Sequence, residues 1–339
     1  MAPAVTVGAD AWVLGVDSGG SGVRFALRRA EEGAPAEVLA SDEPVRTGRA
    51  GIDAGQLLGQ LVPAAMELLD RTGADRVAAV AVGAAGMASL GDDLRAKLPP
   101  ALFGALGVRR LALAADAVTA YAGALGQRPG AVVAAGTGMI ALGTDLTRWR
   151  RADGWGHLLG DCGGGAWIGR AGLEAAMRAH DGRRGGSAAL LDRAEALFGP
   201  VAELPGLLYP RTDRPAVLAS FAPEVGRCAA SDPVAASILR EAARGIAESA
   251  AAVCPVGEGA GESVSECEVA LTGGLFHLGD ALLAPVREEL AALAPYARRV
   301  PAAGDPLAGA LVIASALARG ELRLPHHPRM LWVTTEQDT

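Results

Sequence analysis

The chain has 339 residues, of which 50% are hydrophobic and 20% are charged, and its formal net charge is −7. This composition suits one large or two medium-sized globular domains with well-buried cores, and it argues against disorder. The acidic balance excludes a nucleic-acid surface or an anionic-membrane surface, because either would need a basic stripe. We therefore expect small-molecule partners, with neither nucleic acid nor membrane among them.

The four cysteines, Cys162, Cys228, Cys254 and Cys267, lie far apart in the sequence. They form no C-x-x-C pair, so the sequence predicts neither a zinc site nor a redox couple. No apolar run reaches the roughly 20 residues of a membrane-spanning helix, and the first residues lack the pattern of a signal peptide. We expect reduced thiols in a cytoplasmic protein.

The first predicted hairpin contains a loop rich in glycine and serine. An apolar strand ends at Asp17, the loop Ser18-Gly19-Gly20-Ser21-Gly22 follows, and a second apolar strand begins at Val23. Such a loop offers backbone N–H groups and hydroxyls to phosphate oxygens, and Asp17 could hold Mg²⁺ through water. A glycine turn without a ligand would show the same pattern. The only lysine, Lys97, follows an alanine, which excludes a Walker A loop.

The rest of the first half alternates helices with buried strands. The spacing of apolar residues predicts a helix over residues 52–71, and short apolar runs predict strands over residues 37–41, 77–82 and 110–115. Two more helices are predicted over residues 92–106 and 116–124. These elements indicate a mixed sheet with helical crossovers.

A second glycine hairpin begins the second half. Strands are predicted over residues 130–135, 139–142 and 147–152, and the turn Gly136-Thr137-Gly138 joins the first two. Helices are predicted over residues 169–180, 188–198, 216–229, 233–252, 279–293 and 306–318, and a strand over residues 266–271 that leads to Gly273-Gly274. The halves share the order strand, small polar loop and strand without similar sequences, so we predict a structural duplication.

Asp116 follows a buried strand, and ligands of open α/β sheets collect at the carboxyl ends of strands. Its carboxylate could accept a proton from a substrate hydroxyl that attacks a γ-phosphoryl group. Aspartate is also a favoured N-cap residue, so the same position could simply begin the following helix.

The densest polar cluster spans residues 154–169 and is rich in glycine and tryptophan. So many glycines would be costly in a linker, because each loses much backbone entropy on folding. A sugar site explains the composition better. Trp155 can cover an apolar sugar face, Asp161 can accept hydrogen bonds from hydroxyls, and the glycines admit close approach.

In their order, these segments resemble the BadF/BadG/BcrA/BcrD ATPase family, and within it the actinobacterial glucosamine kinases and the N-acetylglucosamine kinases. The matching segments are residues 17–21, 83–86, 115–117, 136–138, 154–156, 159–161 and 271–274. The resemblance implies an α/β fold of two actin-like (ribonuclease H-like) lobes with duplicated domains. It also implies MgATP in the interdomain cleft and phosphoryl transfer to a sugar 6-hydroxyl.

The same resemblance implies a role for each candidate residue. Asp116 would be the catalytic base, and Asp17 would hold Mg²⁺ through water. The residues that would bind ATP are Ser18, Gly19, Gly20, Ser21, Thr137, Gly138, Gly273 and Gly274. Those that would bind the sugar are Gly86, Asp116, Gly154, Trp155, Gly156 and Asp161.

We expect the first lobe at residues 1–126, the second, with a helical insertion, at residues 127–318, and a tail at residues 319–339 that packs back on the first lobe. The expected ligands are glucosamine and ATP, and the expected assembly is a homodimer.

Three departures from the pattern of N-acetylglucosamine kinases favour glucosamine. Residues 45–49 lack the asparagine that usually follows the first meander, and Met139-Ile140 replaces residues that tend to be polar. The run Gly160-Asp161-Cys162-Gly163-Gly164 replaces G-D-E-G-S, so an acetamido site would be altered. The hypothesis is a glucosamine 6-kinase, with N-acetylglucosamine or another hexose as the alternative acceptor.

Two other classes of function stay open on the sequence. Residues 136–141 match G-x-G-x-x-A, and Asp153 follows, as in a dinucleotide-dependent oxidoreductase. A predicted turn at residues 143–145 argues against the helix that this fingerprint needs. A non-catalytic sugar or nucleotide sensor with the same fold is the third class, and the presence of Asp116 favours an enzyme over it.

Overall fold

The computed structural model describes residues 11–20, 22–31, 33–48, 51–87, 91–255 and 266–335. The chain divides into two compact units. The first comprises residues 1–129, 144–149 and 301–339, and the second comprises residues 130–143 and 150–300. Within the described ranges, no helix is both long enough and apolar enough to span a membrane.

The first unit is built on a six-stranded mixed sheet. Its strands are β1 (Trp12–Gly19), β2 (Gly22–Arg29), β3 (Ala36–Ser41), β6 (Val77–Ala84), β7 (Arg110–Ala115) and β13 (Leu331–Thr335), and their spatial order is β13-β7-β6-β1-β2-β3. The central strands β1, β6 and β7 are parallel, and the other three are antiparallel to their neighbours. The short strands β4 (Thr47–Gly48) and β5 (Gly51–Ile52) pair with each other.

The helices that cover this sheet in the described part of the chain are α1 (Ala54–Thr72), α2 (Asp92–Leu106), α3 (Asp116–Leu125) and α11 (Pro306–Arg319). Helix α11 packs against β1, β6 and α3. The contact depends on small residues, because a Cβ on Gly309 would lie 1.9 Å from the carbonyl oxygen of Thr119, and one on Gly15 would lie 2.9 Å from Leu311. The backbones therefore approach more closely than side chains would allow.

The second unit contains a five-stranded sheet and most of the helices. Its strands are β8 (Gly130–Ala135), β9 (Met139–Thr144), β10 (Trp149–Asp153), β11 (Cys267–Thr272) and β12 (Ala297–Val300), in the spatial order β10-β9-β8-β11-β12. The helices are α4 (Gly165–His180), α5 (Ala188–Phe198), α6 (Leu204–Leu208), α7 (Arg214–Ser220), α8 (Ala222–Cys228), α9 (Pro233–Val253) and α10 (Asp280–Leu293). Two 3₁₀ turns lie at Val201–Glu203 and Gly274–Leu278.

The two sheets repeat one arrangement. The order β3-β2-β1-β6-β7 in the first unit matches β10-β9-β8-β11-β12 in the second, and the strands that follow β1 and β8 on that side are parallel to them. The glycine loop after β1 therefore has its counterpart in the turn after β8. The predicted α/β fold with duplicated units is confirmed.

Several elements differ from the sequence prediction, and two of the differences concern helices. Helix α11 was predicted in the second lobe but falls in the first unit, because its small and apolar residues pack on β1 and α3. The helix predicted over residues 216–229 is divided into α7 and α8, since Pro223 in the first turn of α8 cannot donate a helical hydrogen bond. Residues 331–335 belong to the tail that we expected to pack back on the first lobe, and they form β13, which pairs with β7 of the first unit.

The cysteines are free thiols. Cys162 is exposed, whereas Cys228, Cys254 and Cys267 are buried in the second unit. The thiol of Cys267 donates to the carbonyl of Glu268 at 3.7 Å.

Gly309→Ala should destabilise the protein by about 1–3 kcal/mol, because the added methyl would push α11 away from α3. Urea unfolding measures the change. Gly104→Ala is the matched control, since Gly104 also lies inside a helix but a Cβ there meets no atom within 4 Å. The control should gain about 0.5–1 kcal/mol. A Gly309 variant as stable as the wild type would contradict the close contact.

Candidate active site

In the first unit, the predicted residues meet at the carboxyl ends of three parallel strands. Asp17 pairs in register with Gly83, and Ser18 pairs with Ala84, which in turn pairs with Ala115. The N–H of Ala85 donates to the carbonyl of Ser18 at 3.0 Å. The loop after β1, the turn with Gly86 after β6, and Asp116 after β7 thus share one edge of the sheet.

Asp116 is the first residue of α3 and is exposed. The helix N-cap is Ala115, so Asp116 is not the N-cap residue that the sequence allowed as an alternative. Its Oδ1 accepts the Ala117 N–H at 2.9 Å, and its carbonyl accepts the Thr119 hydroxyl at 2.9 Å. The helix N-terminus favours the ionised carboxylate, which makes Asp116 a suitable general base.

Asp17 is mostly buried and forms an ion pair with Arg24, its cross-strand neighbour on β2. The guanidinium donates to Oδ2 from Nε at 3.2 Å and from Nη2 at 2.6 Å, and its Nη1 reaches Asp305 at 2.5 Å. Burial raises the pKa of Asp17 above its ordinary value, and Arg24 opposes the rise. Within the described part of the chain, no residue is recorded as donating to Oδ1.

The surroundings of Asp17 are compatible with a Mg²⁺ ion that the Asp17 carboxylate binds through water. No cluster of three or more His, Cys, Asp or Glu side chains that could cage a metal occurs among the described residues. Mg²⁺ commonly keeps several waters and uses one or two carboxylates together with substrate phosphates, so a single available oxygen of Asp17 suffices.

The loop after β1 has room for a ligand at its tip. Ser18 is 4% exposed, whereas a Cβ on Gly19, Gly20 or Gly86 would meet no atom within 4 Å. Packing within the protein therefore does not explain Gly19 and Gly20, whereas Gly86 has φ +84°, a left-handed conformation that favours glycine. Gly22 differs, because its φ is +146° and a Cβ would lie 2.2 Å from the Ser41 carbonyl oxygen. Ser21, a predicted ATP-binding residue, lies outside the described residues.

In the second unit, the turn after β8 supports the start of α4. The N–H groups of Gly165 and Ala166 donate to the carbonyls of Gly136 and Thr137 at 2.9 and 2.8 Å. Thr137 itself is exposed and can offer its hydroxyl to a ligand. Strand β9 follows the turn directly, so the helix required by a dinucleotide fingerprint is absent at these described residues.

Gly273 and Gly274 lie beside this turn, because β11 and β8 are parallel neighbours. Gly273 has φ +105°, and a Cβ there would lie 2.3 Å from the Ala135 carbonyl oxygen. A Cβ on Gly274 would meet nothing within 4 Å. The backbone conformation and the close contact at position 273 therefore require glycine, whereas Gly274 leaves space for a ligand.

Asp161 packs against the same turn. It is 9% exposed, and its Oδ2 lies 2.4 Å from the position that a Cβ on Gly138 would take. Its Oδ1 accepts the Gly156 N–H at 3.0 Å. Burial raises the pKa of Asp161, and the Gly156 hydrogen bond opposes the rise. The candidate sugar carboxylate and the candidate phosphate turn are thus in direct contact.

Asp153 holds this loop in place, and the sequence analysis missed that role. Its Oδ1 accepts the Asp161 N–H at 2.6 Å, and its Oδ2 accepts the Cys162 N–H at 2.8 Å. Asp153 and Asp161 both adopt left-handed backbone conformations, with φ of 57° and 56°. The available signal was an Asp-Gly pair at the end of a predicted strand, which is typical of a turn stabilised by the aspartate side chain.

Trp155 projects from this loop and is 66% exposed. The guanidinium of Arg151 lies over its ring, 4.5 Å from the centroid. Gly154 and Gly156 flank it with φ of 73° and 84°, and a Cβ on Gly154 would lie 2.8 Å from Ile140. Arg151 therefore covers one face of the indole.

Residues 14–314 match the sequence profile of the BadF/BadG/BcrA/BcrD ATPase family. The chain belongs to this family. The resemblance inferred from the motifs is therefore confirmed. The matched range includes residues of both units.

Two kinds of relative support the assignment. An N-acetylmuramic acid/N-acetylglucosamine kinase of Clostridium acetobutylicum is 29% identical over 175 residues, which is 51% of this chain and 55% of that protein. The chain thus spans about half the length of the curated relative it matches. The crystal structure of a proposed N-acetylglucosamine kinase from Chromobacterium violaceum is 26% identical with a TM-score of 0.63, covering 90% of this chain and 99% of that one.

A second solved structure bears on the fold alone. The ROK hexokinase from Thermus thermophilus has a TM-score of 0.52 at 20% identity and covers 91% of this chain and 98% of its own. The two-sheet α/β architecture is therefore that of the sugar kinases with an actin-like ATPase fold.

Asp161→Asn should raise the free energy of unfolding at neutral pH. The amide is uncharged, so its burial costs less solvation free energy than the burial of the carboxylate. The folded-state pKa of Asp161 lies above the ordinary value of an aspartate because the side chain is buried, so the wild type loses stability as pH rises from about 4 through that pKa. The gain of the variant should therefore be present at pH 7 and absent at pH 3.

Thermal and urea unfolding at several pH values measure this difference. Asp192→Asn, which removes an exposed carboxylate from α5, is the control and should show no such pH dependence. A variant of Asp161 that is less stable than the wild type across the whole range would count against a burial penalty.

Proposed function

We propose that this ATPase-family member is a kinase that transfers the γ-phosphoryl group of ATP to the 6-hydroxyl of an amino sugar, with glucosamine as the acceptor. The observation that carries the proposal is the exposed Asp116 carboxylate at the carboxyl edge of β1, β6 and β7. Support comes from the relatives, whose names describe sugar kinases.

In the proposed reaction, Asp116 accepts the proton of the sugar 6-hydroxyl. The hydroxyl oxygen forms a bond to the γ-phosphorus as the bond to the bridging oxygen breaks, and ADP leaves. The first turn of α3 orients the Asp116 carboxylate through the Ala117 N–H, and the positive end of the helix dipole favours its ionised form. The ionised form is the one that can accept the proton in the proposed reaction.

The first unit also supplies the group that would hold the metal. Arg24 fixes Asp17 through Oδ2, which directs the other oxygen away from the ion pair. Mg²⁺ bound with ATP would neutralise the charge that develops on the phosphate oxygens. Because the chain has no Walker lysine, we assign phosphate binding to the backbone at Gly19 and Gly20 and to Thr137.

The second unit supplies the proposed sugar carboxylate. Burial makes the Asp161 charge costly, so a hydroxyl or ammonium group that pairs with it should be strongly favoured. Asp153 fixes the Asp161 backbone through hydrogen bonds to two successive N–H groups. The carboxylate is thereby oriented before a sugar arrives.

The choice of glucosamine rests on the residues around Asp161. A Cβ on Gly164 would lie 2.8 Å from the carbonyl carbon of Gly138, so a serine cannot occupy this position without moving the turn. Met139 is buried and Cys162 carries no carboxylate. The polar groups expected around an acetamido substituent are therefore replaced. N-acetylglucosamine is the second candidate, because the relatives are named for it.

An ATP-consumption assay with glucosamine, N-acetylglucosamine, glucose and mannose tests the acceptor. We expect glucosamine to give the largest kcat/KM, by at least tenfold over N-acetylglucosamine, which corresponds to about 1.4 kcal/mol of transition-state binding. A preference for N-acetylglucosamine would refute glucosamine as the acceptor but would agree with the proposed kinase activity. Absence of turnover with all four sugars would refute the kinase assignment.

Asp116→Asn should lower kcat by about 10²–10⁴-fold, the range that general-base catalysis contributes, and leave ATP affinity nearly unchanged. Coupled-assay kinetics and nucleotide titration measure the two effects. Asp92→Asn is the matched control, since Asp92 also begins a helix in the same unit and is exposed. Near-normal turnover of the Asp116 variant would reduce that residue to a stabiliser of the helix N-terminus.

A further inference from the structure

The second unit contains a cavity of about 420 Å³ that none of the roles above uses. Its walls come from one face of α4, the short helices α6 and α7, and residues 157–158. Most of the lining is apolar and includes Leu173, Met177, Leu208 and Leu218. This volume lies within the range of pockets that hold small organic molecules.

A sugar does not suit this cavity. Its hydroxyls would face leucine and methionine side chains and lose hydrogen bonds to water without replacement. Neither Asp161 nor Trp155 lines the space. An occupant must therefore have a substantial apolar part.

Two arginines border the same cavity and give it a positive charge. Arg170 on α4 and Arg214 at the start of α7 are exposed, and neither is recorded with a hydrogen bond or ion pair to any described residue. Glu174 also lines the cavity; its carboxylate accepts two hydrogen bonds from Arg178, at 2.8 and 3.1 Å, and it interacts electrostatically with Arg170 as well. An anionic group on the occupant would thus complement Arg170 and Arg214.

The cavity adjoins the loop that carries Asp161. His157 and Leu158 line it, and His157 follows Gly156, whose N–H donates to Oδ1 of Asp161. His157 also interacts electrostatically with Asp161. A molecule in the cavity would therefore contact the candidate sugar loop from the side of α4.

We propose that this cavity is a binding site for a small amphiphilic carboxylate, separate from the sugar and the nucleotide. Its apolar chain or ring fills the space among Leu173, Met177 and Leu218, and its carboxylate pairs with Arg170 and Arg214. The site is distinct from the groups assigned to phosphoryl transfer, and its occupant is in a position to influence the sugar loop through His157 and Leu158.

Isothermal titration of the full chain with butanoate, hexanoate and octanoate tests the site without sugar or nucleotide. We expect one molecule bound per chain, with affinity rising about fourfold for each added CH₂ as apolar surface is buried. Octanamide, which has the same chain without the charge, should bind at least tenfold more weakly than octanoate.

Variants separate the charged rim from the apolar wall. Arg170→Ala with Arg214→Ala should weaken octanoate at least tenfold and leave octanamide unchanged, and Leu218→Trp should abolish binding of both by filling the cavity. Arg244→Ala, which removes an exposed arginine from α9, should bind like the wild type. Because both rim arginines are exposed, the double variant should keep the wild-type melting temperature even if the Leu218 variant does not.

No binding of octanoate at millimolar concentration would overturn the proposal. Equal affinities for octanoate and octanamide, or for the wild type and the double arginine variant, would do so as well. None of these measurements uses kinase activity. The binding site can therefore be refuted while the proposed kinase function holds, and the kinase function can be refuted while the binding site holds.

Discussion

The carboxylate of Asp161 occupies the space that a side chain on Gly138 would need, and much of the second unit's candidate site depends on this contact. The first N–H groups of α4 donate hydrogen bonds to the carbonyl oxygens of the same turn. Cβ atoms on Gly164 and Gly165 would lie 2.8 and 2.6 Å from the turn backbone. The turn, the helix start and the sugar loop are therefore packed without room for adjustment, so a shift of one must displace the others.

The two helices at the candidate residues use their N-termini differently. The first amides of α4 are satisfied by the carbonyls of Gly136 and Thr137, so they are not available to a phosphate. The first turn of α3 instead stabilises a carboxylate, Asp116. The anion ligands that we propose are therefore loop backbone and hydroxyl groups, and a Cβ on Gly19 or Gly20 would meet no atom within 4 Å.

The sequence was sufficient to locate strands that end in glycine turns, because buried parallel strands are short apolar runs and the turns interrupt them sharply. It placed Asp116 correctly after β7 for the same reason. The Asp153-Gly154 pair marked a turn, but the sequence could not show which groups Asp153 binds, because a loop must fold back to bring the Asp161 N–H to its carboxylate. Nor could it assign α11 to the first unit, since the contact between Gly309 and Thr119 joins residues far apart in the chain.

The ion pair at Asp17 links the beginning of the chain to its last helix. Asp17 and Arg24 face each other across β1 and β2, and Arg24 also binds Asp305, whose Oδ1 caps α11 through the Ala308 N–H at 2.9 Å. Two carboxylates share one guanidinium, so these three groups together carry a formal charge of −1 beside the glycine loop. That charge would repel the phosphates of ATP if they came alone. If the proposed nucleotide site lies at this edge, we expect it to favour a nucleotide that carries its own divalent cation.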